Sequence, residues 1–393
     1  MRIFFASYTY IYEHNYRIFN YFKNKSNLVL VLPKKWRSTK GSKITTYTPK
    51  IKDIKTISTP ALFYHSKYPV IKGQLKGWMP MLWFILKKES KPGDVFFSAY
   101  EPNLLVTYIY GLIAKNLKLK HIFFTWQNVP YGGRLTGFKL KLIEWLLKKN
   151  IELSTAGIFG MQKAYEVHKS YLEKYNSNIK IAIFNQSGVD TDVFKPEAKN
   201  NFREKYHLKD KKMIVYSGTF TRRKGTLPTI EAFAKLCKEI PSVHLIVIGA
   251  GELEGQVIQM IKDLEISQTV TLLPWQMNND LAPIYAEADI MVHPSVPFEG
   301  WEEQMGLLMV QAQSCGLPVI TSRTGSLEET VLNGKTGILI DTIEPVAIYK
   351  AMKQLLLDEK LRLSMSHAAR QYVVEHFSSQ ATARKMEEFL NSL

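Results

Sequence analysis

The stretch Pro294-Ser295-Val296-Pro297-Phe298-Glu299-Gly300-Trp301-Glu302-Glu303-Gln304-Met305-Gly306-Leu307-Leu308-Met309-Val310-Gln311-Ala312-Gln313-Ser314-Cys315-Gly316-Leu317-Pro318 decides how the chain is read. A strand-like run, Asp289 to His293, leads into it. A polar, acidic, glycine-containing loop follows, and then an apolar helix from about Gly306 to Cys315. Gly316 stands where a helix C-cap belongs, with Pro318 just beyond. Acidic side chains and free backbone N–H groups are thus gathered at the start of a helix that follows a strand. In an open parallel sheet that is where ligands bind, so the loop is expected to grip a sugar and a phosphate.

The same strand–turn–helix unit recurs outward from this stretch. In the second half Lys212–Ser217, His244–Gly249, Thr269–Leu273, Ile290–His293, Val319–Thr321 and Gly337–Ile340 read as strands. Helical patterns lie near 225–239, 252–264, 279–286, 305–315, 344–356 and 359–375. In the first half the strand-like runs are Ile3–Ala6, Leu28–Leu32, Val95–Ser98, His121–Thr125, Thr155–Phe159 and Ile179–Phe184. Helices are expected near 14–23, 73–90, 102–117, 136–149 and 161–174, and the Lys-, Thr- and Pro-rich stretch 34–72 is expected to be irregular. Such alternation predicts an α/β protein with parallel, doubly wound sheets. The boundary falls in Ser187–Asn200, where Gly188, Asp190, Asp192 and Pro196 break the periodicity. Domains are therefore drawn at 1–190 and 191–376. A last amphipathic helix, about 377–393, is expected to pack back on the first domain.

A chain of 393 residues, 46% hydrophobic and 12% aromatic, is long enough for two domains and is globular rather than disordered. Its two cysteines, Cys237 and Cys315, make no disulfide framework, and a reducing cytoplasm fits. No apolar run reaches the roughly 18 residues of a membrane span, and Met1 to Tyr12 reads as a first strand rather than a signal peptide. Residues 1–190 carry 30 Lys and Arg against 10 Asp and Glu, whereas 191–393 carry 22 against 25. A basic half beside a near-neutral half suggests different partners.

No nucleic-acid-binding signature appears, so none is expected as a partner. An anionic membrane surface, the inner face of the cell membrane, is the better candidate. Lysines interleave with apolar residues at Lys72–Lys91 (Trp78, Met79, Met81, Trp83, Phe84) and at Phe138–Lys149 (Leu142, Trp145, Leu146). Each cation near such a surface is worth about 1 kcal/mol. The plainer alternative, core helices with snorkelling lysines, stands beside it.

Two glycine turns join the opening stretch. Tyr216-Ser217-Gly218-Thr219-Phe220-Thr221-Arg222-Arg223-Lys224-Gly225 ends a strand in a glycine, crosses three consecutive cations and opens a helix. Cations beside a helix N-terminus suit a pyrophosphate; a solvated basic loop is the other reading. Gly249-Ala250-Gly251 is a partial dinucleotide fingerprint, equally consistent with a tight turn. Glu303 belongs to the loop and Gln311 to the helix, while Glu299 and Glu302 read as solvated.

Taken in order, these motifs resemble the GT-B glycosyltransferases of family 4, retaining enzymes that use nucleotide-sugar donors. The resemblance rests on Gly218…Lys224-Gly225, Gly249 and Gly251, and Pro294-Ser295 with Glu303, Gly306, position 311, Ala312, Cys315-Gly316 and Pro318-Val319. Gly325…Glu328, Gly334…Thr336-Gly337 and Ser187-Gly188-Val189-Asp190…Phe194…Pro196 add to it. Trp301-Glu302-Glu303-Gln304-Met305-Gly306 is similar to a bacterial subgroup with Trp-x-Glu-Gln-Phe-Gly. The match is close over roughly 187–340 and holds only in outline before it.

The resemblance implies two Rossmann-like domains facing a deep cleft, the first binding the acceptor and the second the donor. It implies transfer of a sugar to a hydroxyl of a glycan or lipid-linked acceptor, in surface polysaccharide or glycolipid synthesis. Lys224 would neutralise the diphosphate and Glu303 would hydrogen-bond donor-sugar hydroxyls, while the N–H groups of Gln304, Met305 and Gly306 would face sugar and phosphate. No metal or cofactor beyond the nucleotide sugar is expected.

Three positions depart from the family pattern. Gln311 replaces the ribose glutamate, keeping hydrogen bonds but losing charge. Thr219 replaces the pyrophosphate arginine, leaving Arg222 or Arg223 to substitute. Gln127 and Asn128 stand where many relatives place a histidine; they can contact sugar or acceptor but cannot act as a general base. Two alternatives follow: a protein that binds nucleotide sugars without turnover, or a metal-dependent enzyme using Asp190-Thr191-Asp192. His14, His65, His121 and His293 show no ligand spacing.

Overall fold

A computed structural model describes residues 1–37, 44–46, 53–63 and 73–393. Its contacts divide the chain into two compact units, Met1–Gly188 with Ser379–Leu393, and Val189–Ser378.

The first unit contains β1 (Ile3–Ala6), β2 (Leu28–Pro33), β3 (Lys35–Arg37), β4 (Ile44–Thr46), β5 (Lys55–Thr59), β6 (Val95–Phe97), β7 (Lys120–Thr125), β8 (Ala156–Phe159) and β9 (Lys180–Ile183). Seven of them form one sheet in the order β5-β2-β1-β6-β7-β8-β9, every pairing parallel. β1 and β2 are buried at every position, as in sheets covered on both faces. Phe5, Phe97, Ile122 and Ile158 pack on one side, Phe4, Phe96, Val106 and Tyr110 on the other. The C-terminal helix Ser379–Asn391 adds Ala383, Met386 and Leu390 to the first of these cores. Glu387 on that helix accepts the backbone N–H groups of Lys23 and Asn24, each at 3.1 Å.

Three expectations need correction. The stretch 34–72 is not wholly irregular: β5 runs parallel to β2 at the sheet edge, and β3 pairs antiparallel with β4. Lys55-Thr56-Ile57-Ser58-Thr59 is half exposed, and an edge strand with one wet side carries polar residues that mask its β character. The helix expected at 73–90 shrinks to Leu82–Glu89, because Gly73 and Gly77 take left-handed φ (82° and 71°) and Pro80 precedes the first turn. The helix expected at 14–23 is only Glu13–Tyr16, flanked by 3₁₀ turns. His65 and Lys72 lie outside the described residues, with much of 34–72.

The second unit contains β10 (Lys212–Ser217), β11 (Val243–Ile248), β12 (Val270–Leu273), β13 (Ile290–His293), β14 (Val319–Ser322) and β15 (Gly337–Ile340), in the order β12-β11-β10-β13-β14-β15 and all parallel. The chain starts at the centre, builds outward to β12, then returns to the other side of β10. That reversal sets the carboxyl ends of β10 and β13 side by side, the switch point where open α/β sheets bind ligands. Helices Thr226–Glu239 and Pro345–Leu357 close the core over Ile214, Tyr216, Leu245 and Val292. Among the described residues no helix is long and apolar enough to cross a membrane.

Buried histidines make this fold sensitive to acid. His121 lies between the hydroxyls of Ser98 and Ser154 (3.2 and 3.1 Å), and burial pushes its pKa down to about 3. His168, hydrogen-bonded to Tyr131 and the Ala164 carbonyl, is pushed by burial to about 4. Both are neutral when folded, whereas unfolded histidine binds protons below about pH 6.5. The unfolded state therefore binds more protons as pH falls from about 6.5 toward 4, and stability drops over that window. Urea-unfolding midpoints should fall over that range, and less steeply in His121→Gln; midpoints flat down to pH 4 would contradict this.

Candidate active site

The site grows from the ends of two neighbouring strands. After β10, the Gly218 N–H donates to the Ile248 carbonyl and the Phe220 N–H to that of Ala250, both at 3.0 Å, zipping this loop to the one after β11. A Cβ on Gly249 would fall 1.9 Å from the Gly218 oxygen, and one on Gly251 2.5 Å from that of Phe220. These two glycines therefore make room for the Gly218 loop. Arg222–Lys224 form a single 3₁₀ turn. Gly225 follows at φ 64°, where a Cβ would sit 2.1 Å from the Pro294 carbonyl, so glycine lets the loops after β10 and β13 meet.

From β13, the His293 Nδ1–H donates to the Ser217 carbonyl (2.7 Å), and its ring stacks on Tyr216. Burial, with the Lys224 cation, pushes His293 down to about 4 and keeps it neutral. The chain then makes a two-residue hairpin. Glu299 and Gly300 take φ of 48° and 69°, and Phe298 and Trp301 exchange backbone hydrogen bonds of 3.0 and 2.9 Å. The Trp301 ring thereby lies 3.8 Å from the Arg223 guanidinium carbon and 5.4 Å from Lys224 Nζ.

Glu303 sits at the centre. Its side chain is 7% exposed, and its Oε1 accepts from Lys224 Nζ and from Ser295 Oγ, the latter at 3.0 Å. Ser326 N–H holds the Glu303 carbonyl at 2.9 Å. Burial opposes the carboxylate charge, but Lys224 beside it holds the carboxyl below the usual range. Burial also pulls the Lys224 ammonium below its ordinary value, against the attraction of Glu303. Gly306, in left-handed conformation, opens the helix Leu307–Ser314, which carries the buried Gln311.

The loops after β10 and β14 and the helix Leu307–Ser314 also carry polar atoms with no protein partner. Thr219 Oγ1, Thr221 Oγ1, Arg223 Nη1, Gln311 Oε1, Thr324 Oγ1 and Ser326 Oγ are buried without a hydrogen bond. Each costs about 1–3 kcal/mol if left so, and each would gain from a hydrogen-bonding ligand. An ammonium can donate to a phosphate and a carboxylate can accept from hydroxyls. The set can hold an anion beside a polyol.

The structure thus brings Lys224 against Glu303 and Arg223 against Trp301 in the second unit, which also carries Thr219, Gln304, Met305, Gly306 and Gln311. Arg222 points into solvent. Gln127 and Asn128 belong to the first unit, after β7; the Gln127 amide donates to the Val129 carbonyl, and Asn128 is 4% exposed. Asp190 Oδ1 accepts from the N–H groups of Asp192 and Val193 (3.0 and 3.4 Å), a turn-forming role. Among the described residues no three His, Cys, Asp or Glu gather as metal ligands.

Sequence reasoning missed the roles of His293, Ser295 and Trp301, and missed Glu101 altogether. Glu101 follows β6, accepts the Thr125 hydroxyl and the Trp126 N–H (2.9 Å), and is pushed by burial up to about 7. Its one signal was isolation: no other acidic residue lies between Asp94 and Glu144.

Residues 198–372 match the family model described as Glycosyl transferases group 1. The GDP-mannose-dependent alpha-(1-6)-phosphatidylinositol monomannoside mannosyltransferase of Mycolicibacterium smegmatis is 30% identical over 212 residues, 52% of this chain and 54% of that protein. The D-inositol 3-phosphate glycosyltransferase of Corynebacterium jeikeium is 32% identical over 217 residues, 52% of this chain and 50% of that one. The chain thus spans about half the length of these curated relatives. Its fold is shared with Anabaena Alr3699/HepE, solved with UDP and glucose, at a TM-score of 0.69 and 16% identity over the whole of both chains. Residues 198–372 are thus similar to the group 1 glycosyltransferases, and the fold is shared with GT-B glycosyltransferases.

The Lys224–Glu303 pair carries a stability prediction. Lys224→Met strands a buried carboxylate and should cost roughly 3–5 kcal/mol. Lys224→Met with Glu303→Gln removes both charges and should recover most of that loss in urea titrations. A single variant as stable as the wild type would refute the buried pairing.

Proposed function

We infer that this chain is a retaining, family 4 glycosyltransferase that moves a sugar from a nucleoside-diphosphate sugar to a hydroxyl of a glycan or lipid-linked acceptor. Surface polysaccharide or glycolipid synthesis, on the cytoplasmic side, is the setting this reading suggests. The observation that carries it is the buried Lys224–Glu303 pair at the strand switch point, with unpartnered buried polar atoms on the loops after β10 and β14 and on the helix Leu307–Ser314. The family match over 198–372 and the relatives' names support it.

The chemistry follows from the charges. Breaking the bond between the anomeric carbon and the diphosphate oxygen leaves negative charge on the departing nucleoside diphosphate. Lys224 Nζ and the N–H groups opening the helix Leu307–Ser314 are fixed before the reaction, so stabilising that charge requires little reorganisation. Glu303 accepts donor-sugar hydroxyls and sets the face presented to the acceptor. The Gln311 amide takes the ribose, without the charge a carboxylate would bring. The acceptor hydroxyl's proton passes to the leaving phosphate, which becomes the base as the bond breaks. No metal enters this account; Asp190 Oδ1 accepts backbone N–H groups of its own turn. The first domain selects the acceptor.

A thermal-shift screen of UDP-, GDP-, ADP- and CMP-sugars tests the reading, since a ligand preferring the folded state raises its melting temperature. One nucleotide class should stabilise the protein, and transfer or slow hydrolysis of that donor should survive EDTA. Stabilisation without turnover on any acceptor would make this a binding protein, and activity lost on chelation would restore a metal.

The basic first domain fits a lipid-borne acceptor. Phe138, Leu142 and Trp145 are 81%, 43% and 44% exposed along one side of the helix Gly137–Leu153, beside Lys139, Lys141, Lys148 and Lys149. Met81 and Phe84 are likewise 47% and 59% exposed, whereas Met79 and Leu146 are core. Such a surface suits anionic headgroups. The protein should co-sediment with vesicles containing phosphatidylglycerol and dissociate as salt rises; equal binding to phosphatidylcholine vesicles would contradict an electrostatic contact.

A further inference from the structure

The family resemblance implies an arginine where this chain has Thr219, and two other arginines, Arg222 and Arg223, lie in the next turn. The structure separates them. Arg222 is exposed to solvent. Arg223 is partly buried, its guanidinium carbon is 3.8 Å from the centre of the Trp301 ring, and its Nη1 is buried with no hydrogen-bond partner. Its backbone carbonyl accepts the Val296 N–H at 2.9 Å, so both ends of the residue are tied to the loop after β13.

We propose that Arg223, laid on Trp301, is the second cation for the donor diphosphate, with Trp301 as its positioning residue. This rests on the donor reading above. The charge balance motivates it: Lys224 is already paired with Glu303, so the two together bring almost no net charge to an anion. Among the described residues neither Arg222 nor Arg223 has a carboxylate within ion-pair distance, and of these two uncompensated cations only Arg223 is partly buried and stacked on Trp301.

A guanidinium stacked on an indole keeps its five N–H donors in one plane, where they match two phosphate oxygens at once. The indole supplies an attractive face and fixes that plane before a ligand arrives. The indole itself is held by the Phe298–Trp301 hairpin, whose Glu299-Gly300 turn has both φ angles positive. Arg223 and Lys224, adjacent like charges in a partly buried turn, repel until an anion lies between them. The hairpin is thus a device for reinstating a lost arginine from a position four residues further along the loop.

Titration calorimetry with UDP and GDP, each against its monophosphate, tests the proposal on the whole protein. Arg223→Ala should weaken the preferred diphosphate by about tenfold or more and the monophosphate by less, because a charge-assisted contact to the second phosphate is gone. Arg223→Lys, which keeps the charge but not the fork, should lie between. Arg222→Ala should stay within about twofold of the wild type, as exposed, screened charges do. Trp301→Ala should reproduce the Arg223→Ala loss, Trp301→Phe should regain most of it, and the double variant should be little worse than either single.

Wild-type binding with Arg223→Ala unchanged would overturn the proposal. Additive losses for Arg223→Ala and Trp301→Ala would overturn the positioning role, since Trp301 would then touch the ligand itself. If the wild type binds neither UDP nor GDP nor any other nucleoside diphosphate, the donor reading fails instead. Circular dichroism and melting temperatures identify any variant that does not fold, and Arg223→Lys and Trp301→Phe keep the test open in that case.

Discussion

An ammonium and a carboxylate buried against each other between two strand ends set the shape of the second domain's working face. Lys224 comes from the loop after β10 and Glu303 from the loop after β13, and neither loop would hold its course without the other. The Gly225–Pro294 contact, the Val296 hydrogen bond to Arg223 and the Ser326 grip on Glu303 bring the loops after three strands to this one pair. A buried ion pair of this kind contributes little net stability, because desolvation offsets the attraction. Under the proposed function, its value lies in placing opposite charges side by side where a phosphate and a sugar hydroxyl would each find a partner.

The topology explains why the pair sits there. A doubly wound sheet starting at its centre must reverse once, and at the reversal two successive connections leave in opposite directions, opening a crevice. Hydrophobic periodicity is sufficient to predict this: the strand-like runs Lys212–Ser217 and Ile290–His293 recur as β10 and β13. Pro294–Pro318 was legible as loop and helix for the same reason, with Gly306 and Gly316 marking its ends. The polar edge strand Lys55–Thr59 was not, since a half-wet strand lacks the apolar run that signals a buried one.

Side-chain roles were legible only where spacing along the chain determines them. Lys224 and Glu303 could be named because the motifs that carry them resemble a known family, and the structure pairs the two side chains. That Arg223 rather than Arg222 turns toward Trp301 depends on which way one 3₁₀ turn points its side chains, which no residue spacing encodes. Gly249 and Gly251 read equally as a partial dinucleotide fingerprint or a tight turn, and the atoms their missing side chains would strike belong to Gly218 and Phe220. Glu101 was invisible because its partners, Thr125 and Trp126, lie a full β-α-β crossover away in sequence. Long-range pairing of this kind follows from the fold and not from local pattern.

The central claim is that a nucleoside diphosphate is held by the loops after β10 and β13. Hydrogen–deuterium exchange with and without saturating UDP or GDP, whichever binds, tests it most directly. The account predicts slowed exchange in peptides covering 218–226 and 294–308, where backbone N–H groups and the Lys224–Glu303 pair meet the ligand. Binding that leaves both segments unprotected, while slowing exchange elsewhere, would contradict it.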